Sequence, residues 1–121
     1  RVEALARSEP VLSVINGPSA YIHGDLGGGN ILKLPDGYRI IDWTRPFWGP
    51  ADLNCYDAVS RAGFNPLPHF DRGLAMISAF LGINWAAQCK LYWFRGGDCY
   101  DEWVVAGLRR MEQCAAGVWE I

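Results

Sequence analysis

Three oxygen-bearing side chains in the first half of the chain have the types and the spacing of a site that handles phosphate. Asp25 leads into a glycine-rich loop, Asn30 follows five residues later, and Asp42 stands after two further strand-like segments. Carboxylate and amide oxygens suit Mg²⁺, which takes one or two protein carboxylates together with substrate phosphates. A carboxylate that is not used for the metal can accept a proton from an attacking hydroxyl. These residue types therefore predict phosphoryl transfer, whose catalysis is mostly positioning and charge neutralisation.

Short strands must bring these three side chains together. The pattern predicts strands over residues 20–23, 31–34 and 38–41, and Pro35-Asp36-Gly37 between the last two is typical of a hairpin turn. The second arm of this hairpin ends at Asp42 and returns the chain to the start of the first arm. We therefore expect Asp25, Asn30 and Asp42 to converge at one edge of the hairpin.

The remainder of the chain has helical spacing of its apolar residues. We predict helices over residues 2–7, 9–15, 52–62, 67–81, 84–93 and 98–118, with Gly82 ending the fourth and Asn84 capping the fifth. Residues 43–51 are predicted to form a loop because Pro46, Gly49 and Pro50 interrupt them. The predicted fold class is α+β and mostly helical, with a small β-hairpin that carries the catalytic and metal residues.

Composition excludes several other classes of protein. Eleven basic and thirteen acidic residues give a formal charge of −2, so no broad footprint for nucleic acid is expected. No apolar run approaches the roughly 18 residues of a membrane helix and no signal-peptide pattern is present, so no membrane partner is expected. The four cysteines show no metal-site spacing, which favours reduced thiols in a cytoplasmic protein.

One motif carries a family resemblance. His23-Gly24-Asp25, Leu26 and Asn30 meet the H-x-D-L-x-x-x-N spacing of a kinase catalytic loop. Together with Ile41-Asp42-Trp43, this motif resembles the aminoglycoside phosphotransferase and choline kinase-like family, which has His-Gly-Asp where protein kinases have His-Arg-Asp. The later segment Gly49–Leu53 resembles the stretch that leads into that family's next helix. The resemblance covers residues 21–53.

The resemblance implies a protein-kinase-like C-terminal lobe, with residues 1–121 as its catalytic and acceptor-binding part. It also implies ATP as donor, Mg²⁺ as cofactor, and a small-molecule hydroxyl acceptor that is aminoglycoside-, choline- or homoserine-like and possibly cationic. Asp25 would be the catalytic base, Asn30 and Asp42 would hold the metal and thereby the nucleotide, and His23 would brace the loop. Asp52 would support the same region as a helix N-cap. Gly27-Gly28-Gly29 departs from the bulkier family pattern, and three glycines cost more backbone entropy to order.

Two other functions fit the same residues. The chain could be a non-catalytic helical binding module that keeps a kinase-like shape without turnover. It could also be a metal-dependent phosphohydrolase built on Asp25, Asn30 and Asp42, which needs no second lobe. Mg²⁺-dependent transfer of a phosphoryl group to an acceptor would distinguish the phosphotransferase from both of these alternatives.

Nucleotide affinity tests this interpretation. A kinase-type site uses a glycine-rich phosphate loop and a strand lysine, and neither precedes Asp25 here, so we expect a nucleotide-binding N-terminal lobe before Arg1. The 121-residue chain should then bind Mg-ATP no more tightly than roughly millimolar, about 4 kcal/mol. It should also expose apolar surface and tend to self-associate. Calorimetric titration measures the affinity, and a micromolar value or transfer by this chain alone would contradict the expectation.

Overall fold

The computed structural model describes residues 1–120 as a mixed α+β fold in which about 52% of the chain is helical. Its elements in chain order are α1 (Val2–Ala6), α2 (Glu9–Ile15), β1 (Ser19–Ile22), β2 (Ile31–Leu34), β3 (Gly37–Ile40), β4 (Phe47–Pro50), α3 (Leu53–Arg61), α4 (Arg72–Gln88) and α5 (Cys99–Ala115). A 3₁₀ turn over Gly28–Asn30 precedes β2, and a π-helical turn over Cys89–Trp93 follows α4.

The strands form two separate antiparallel pairs. β2 and β3 make the predicted hairpin, with Ile31 opposite Ile40. β1 pairs with β4, with Ile22 opposite Phe47, although the sequence pattern placed residues 43–51 in a loop. That prediction was wrong because the proline of β4 is its last residue, where a missing backbone donor is tolerated in a two-stranded sheet. The pairing closes the chain between β1 and β4 into one unit that holds the hairpin and the glycine-rich loop.

The core is built around α4. It packs mainly against α5 and α2, and its buried residues include Leu74, Met76, Ile77 and Ile83. The core residues outside α4 come from α2, β1, α3 and α5: Val11, Ile22, Leu53, Tyr56, Met111 and Cys114. Of the four free cysteines, Cys89 and Cys114 are buried, whereas Cys55 and Cys99 are exposed. Burial of these apolar side chains is the main force that stabilises the fold.

α4 is one continuous helix where the sequence predicted two. It begins at Arg72, with the Asp71 side chain accepting a hydrogen bond from the Gly73 amide, and it passes through Gly82 without a break. A helical glycine costs about 1 kcal/mol relative to alanine. Burial of Ile83 and Ala86 beyond it is worth more than that cost, so the helix continues. The break predicted at Gly82 was therefore wrong.

The continuation of α4 into the π-turn has two further consequences. The stretch Arg72–Trp93 is long and apolar enough to cross a membrane by length and composition alone. Core helices of soluble proteins also meet this criterion. About a third of the most apolar part of the stretch is buried in this fold. Two aromatic residues of the turn, Tyr92 and Trp93, are exposed. Only Cys89 of this turn is buried.

Two alanine substitutions in α4 test its continuity. Gly82→Ala should raise the free energy of unfolding by about 1 kcal/mol, because Gly82 is helical and a methyl group there meets no atom within 4 Å. Gly73→Ala should lower it by about 1–3 kcal/mol, because its Cβ would lie 2.0 Å from the carbonyl oxygen of Pro10. Urea unfolding followed by circular dichroism measures both. Destabilisation by Gly82→Ala would mean that the helix ends at this position.

Candidate functional site

The His23 imidazole joins the segment that carries Asp25 to the segment that carries Asp42. His23 is fully buried at the end of β1. Its Nδ1 accepts a hydrogen bond from the Asp25 amide at 3.1 Å, so Nε2 carries the proton and donates to the carbonyl oxygen of Ile41 at 2.8 Å. His23 thus touches the backbone of both segments and holds them beside each other.

Asn54 in α3 supports the same loop from the other side. Its Oδ1 accepts from the His23 amide at 2.9 Å, and its Nδ2 donates to the carbonyl oxygen of Tyr21 at 3.1 Å. The sequence analysis assigned support of this region to Asp52 instead. Asp52 is the N-cap residue of α3 by position, but its backbone is helical (φ −83°, ψ −1°) and its side chain makes no capping hydrogen bond. A capping side chain needs an extended backbone, so the supporting role lies with Asn54.

Gly24 lets the loop approach the segment that leads into β4. Its φ is +83°, and a Cβ there would lie 2.4 Å from the carbonyl oxygen of Arg45. Both the backbone conformation and the space therefore require glycine. The close approach sets Asp25 beside Arg45.

Asn30 is fixed by hydrogen bonds to both neighbouring segments. Its Nδ2 donates to the carbonyl oxygen of Asp25 at 2.8 Å, and its own carbonyl oxygen accepts from the Ile41 amide at 3.0 Å. The 3₁₀ turn over Gly28–Asn30 gives the glycine-rich loop a defined conformation. Because Nδ2 is the donor, Oδ1 is the atom that Asn30 can offer to a cation.

Asp42 has an unusual backbone. It follows β3, it is exposed, and its φ of +63° is the one positive value among the non-glycine residues that the structure describes. Such conformations cost energy and concentrate at functional sites. Within residues 1–120, no group of three or more His, Cys, Asp and Glu side chains could hold a metal. The oxygens of Asn30 and Asp42 fit Mg²⁺ only as a partial ligand set that substrate phosphates would complete.

The Asp25 carboxylate faces two arginines that the sequence analysis missed. Its Oδ1 lies 2.5 Å from Nη1 of Arg61 and 3.6 Å from Nη2 of Arg45. Arg61 comes from the last turn of α3 and Arg45 from the segment before β4, and neither belongs to a motif. The packing of α3 against the loop reveals Arg61, and the close approach of the chain at Gly24 reveals Arg45.

A cleft with a volume of about 370 Å³ opens beside Asp25. Its far wall is one face of α4, and its polar lining residues are Asp25, Arg45, Asp57, Arg61, Ser78, Asn84 and Gln88. A larger cavity of about 430 Å³ between α2, β4 and α4 has mainly apolar lining residues such as Val11, Phe47 and Met111. The cleft beside Asp25 is the better candidate because polar groups converge in it.

Asp57 is a second carboxyl group in this cleft. The Ser78 hydroxyl donates to its Oδ1 at 3.0 Å. Burial raises the pKa of Asp57 from its ordinary value of 3.8 to about 6, against the opposing effects of the Ser78 hydrogen bond and the Arg61 charge. Asp57 therefore takes up a proton more readily than an ordinary aspartate does.

Comparison of the chain with protein-family models, curated proteins and solved structures found no match. The family resemblance accordingly rests on the motif residues alone.

The pH dependence of stability tests the environment of Asp57. Because its pKa is higher in the folded state, its stabilising contribution is full below the unfolded value of 3.8 and is lost as the pH rises through about 6. Asp57→Asn should remove this loss, so that the variant gains about 2–3 kcal/mol over the wild type between pH 4 and pH 7. Urea unfolding across this range measures the difference. Asp36→Asn at the exposed hairpin turn is the matched control, and an identical pH profile in wild type and Asp57→Asn would contradict the assignment.

Proposed function

We propose that this chain forms the catalytic and acceptor-binding part of an enzyme that transfers a phosphoryl group from ATP to a hydroxyl of a small molecule. The observation that carries the proposal is the hydrogen-bond network around His23 and Asn30. It fixes the Asp25, Asn30 and Asp42 segments relative to one another. Fixed geometry is what phosphoryl transfer requires of a protein, because its catalysis is mostly positioning and charge stabilisation.

In the proposed reaction the acceptor oxygen attacks the γ-phosphorus. The bond from that phosphorus to the β–γ bridging oxygen breaks, ADP leaves, and the hydroxyl proton passes to the carboxylate of Asp25. Asn30 Oδ1 and the Asp42 carboxylate would hold Mg²⁺, which would neutralise charge on the phosphates. His23 stays a positioning residue, because both of its ring nitrogens are occupied by backbone groups.

Exposed apolar side chains on both faces of the hairpin support a further part of the proposal. Apolar side chains on β2, β3 and the residue after β3 remain at least 38% exposed: Leu32, Leu34, Tyr38, Ile40 and Ile41. Exposed apolar patches mark sites of interaction. In the proposed enzyme a separate nucleotide-binding lobe would cover these side chains and supply the phosphate loop and the lysine, and we expect this chain to self-associate when such a lobe is absent.

Loss of the proposed base tests the function. In a protein that carries this chain with its nucleotide-binding lobe, Asp25→Asn should lower turnover at least ~10²-fold and leave ATP affinity nearly unchanged, because the amide keeps the shape but accepts no proton. Transfer of labelled phosphate from ATP to an acceptor measures turnover. Asp36→Asn, a matched change at the hairpin turn, should retain full activity.

Metal binding by the same variants distinguishes the proposed base, Asp25, from the proposed metal ligands, Asn30 and Asp42. Asp42→Ala should abolish both turnover and binding of Mn²⁺, whereas Asp25→Asn should keep the Mn²⁺ site. Paramagnetic broadening of the protein resonances measures Mn²⁺ binding. Asn30→Ala should be less damaging than Asp42→Ala, because water replaces an amide oxygen more easily than a carboxylate. Near-normal turnover of Asp25→Asn would contradict the proposed function. Mn²⁺ and ligand binding without any transfer by the wild type would favour the non-catalytic binding module.

A further inference from the structure

We infer that the acceptor carries an anionic group, a carboxylate or a phosphate, which Arg45 and Arg61 bind while an acceptor hydroxyl faces Asp25. This inference rests on the proposed function and specifies its substrate class. It differs from the cationic acceptor that the family resemblance suggested.

The two guanidinium groups offer more hydrogen bonds than Asp25 can accept. Both point to one oxygen of that carboxylate, Arg61 at 2.5 Å and Arg45 at 3.6 Å. Each guanidinium has five N–H donors in a planar fork that matches carboxylate and phosphate oxygens. Both side chains line the cleft and are partly exposed, at 49% for Arg61 and 32% for Arg45. Donors therefore remain for a second anion that enters the cleft.

Both arginines are held in place before a ligand arrives. The Arg45 guanidinium lies over the ring of Trp85 in α4, 3.8 Å from the ring centroid, which restrains its plane. Arg61 lies against the backbone of the glycine-rich loop, where a Cβ at Gly27 would be 3.2 Å from its Nε. Preorganised donors lose less entropy on binding.

The hydrogen-bond donors of the cleft favour an anion over a cation. Its charged lining residues are Asp25, Arg45, Asp57 and Arg61. Asp25 is already paired with both arginines, and the Asp57 carboxyl accepts from Ser78 and takes up a proton readily. The α4 wall adds the neutral side chains of Asn84, Trp85 and Gln88. The guanidinium groups of Arg45 and Arg61 have N–H donors left for an anion, whereas the one further carboxyl group of the lining, that of Asp57, already accepts from Ser78.

An anionic group would also release the base. When it takes hydrogen bonds from Arg45 and Arg61, it competes with the Asp25 carboxylate for the same donors. The lone pairs of Asp25 Oδ1, the oxygen that both arginines face, would then become available to the acceptor hydroxyl. Binding of the correct acceptor is thereby coupled to activation of Asp25, because a neutral or cationic acceptor leaves the ion pairs intact.

Four hexoses that share most of their ring hydroxyls and differ in charge test the inference. Glucuronate and glucose 6-phosphate are anionic, glucose is neutral and glucosamine is cationic. We expect each anionic probe to bind this chain at least about tenfold more tightly than glucose, and glucosamine to bind most weakly. Chemical shifts of the Trp85 indole N–H, assigned with Trp85→Phe, measure the affinities without ATP or metal. Tighter binding of glucose 6-phosphate would indicate that the site takes a phosphate, and tighter binding of glucuronate would indicate that it takes a carboxylate.

Matched variants locate the effect. Arg61→Gln and Arg45→Gln should each reduce the preference for the anionic probes at least about fivefold, and Arg61→Lys should restore part of it. Arg39→Gln on the hairpin, whose guanidinium pairs with Asp36, should leave the preference unchanged. The inference is overturned by equal or tighter binding of glucosamine, by no measurable binding of either anionic probe, or by a preference that survives both arginine substitutions. The probe titration measures binding, and the labelled-phosphate assay measures transfer. An anion preference in the first experiment together with no transfer in the second would contradict the proposed function and leave this inference standing.

Discussion

The structure of the site depends on the buried imidazole of His23. One ring nitrogen accepts from the Asp25 amide and the other donates to the carbonyl oxygen of Ile41, so a single side chain spans the two segments that carry acidic residues. Removal of the ring would take this partner from the Asp25 amide and from the Ile41 carbonyl oxygen, at about 1 kcal/mol for each hydrogen bond lost in this partly buried region. Asn54 binds the backbone on either side of Ile22 and fixes β1 against α3. The loop geometry follows from these bonds.

The same bonds decide where the charges meet. Gly24 brings the loop against Arg45, and Asn54 ties β1 to the helix that ends at Arg61. Both arginines consequently face one oxygen of Asp25. The paired carboxylate is well oriented, but its Oδ1 is already engaged by Arg61. The anionic acceptor proposed here resolves this conflict, because it would bind the guanidinium groups and free the carboxylate for the hydroxyl.

α4 connects the core to the cleft. One face of this helix buries Met76 and Ile83 in the core. Another face, with Ser78, Trp85 and Gln88 at helical spacing, forms the far wall of the cleft. These wall residues share one face only because the helix runs through Gly82. The stability of the core and the shape of the cleft therefore depend on the same uninterrupted helix.

The sequence by itself determined the local elements and the motif of the candidate site. Apolar periodicity and turn residues placed the β2–β3 hairpin, α2, α3 and α5 close to their observed bounds, because short-range patterns record local structure. The motif identified Asp25, Asn30 and Asp42 because their spacing is fixed along one segment. Tertiary structure alone decided the pairing of β1 with β4, the continuity of α4 and the placement of Arg45, Arg61 and Asp57. These features depend on burial and on contacts between residues far apart in the chain, and such contacts leave no local spacing for a sequence pattern to record.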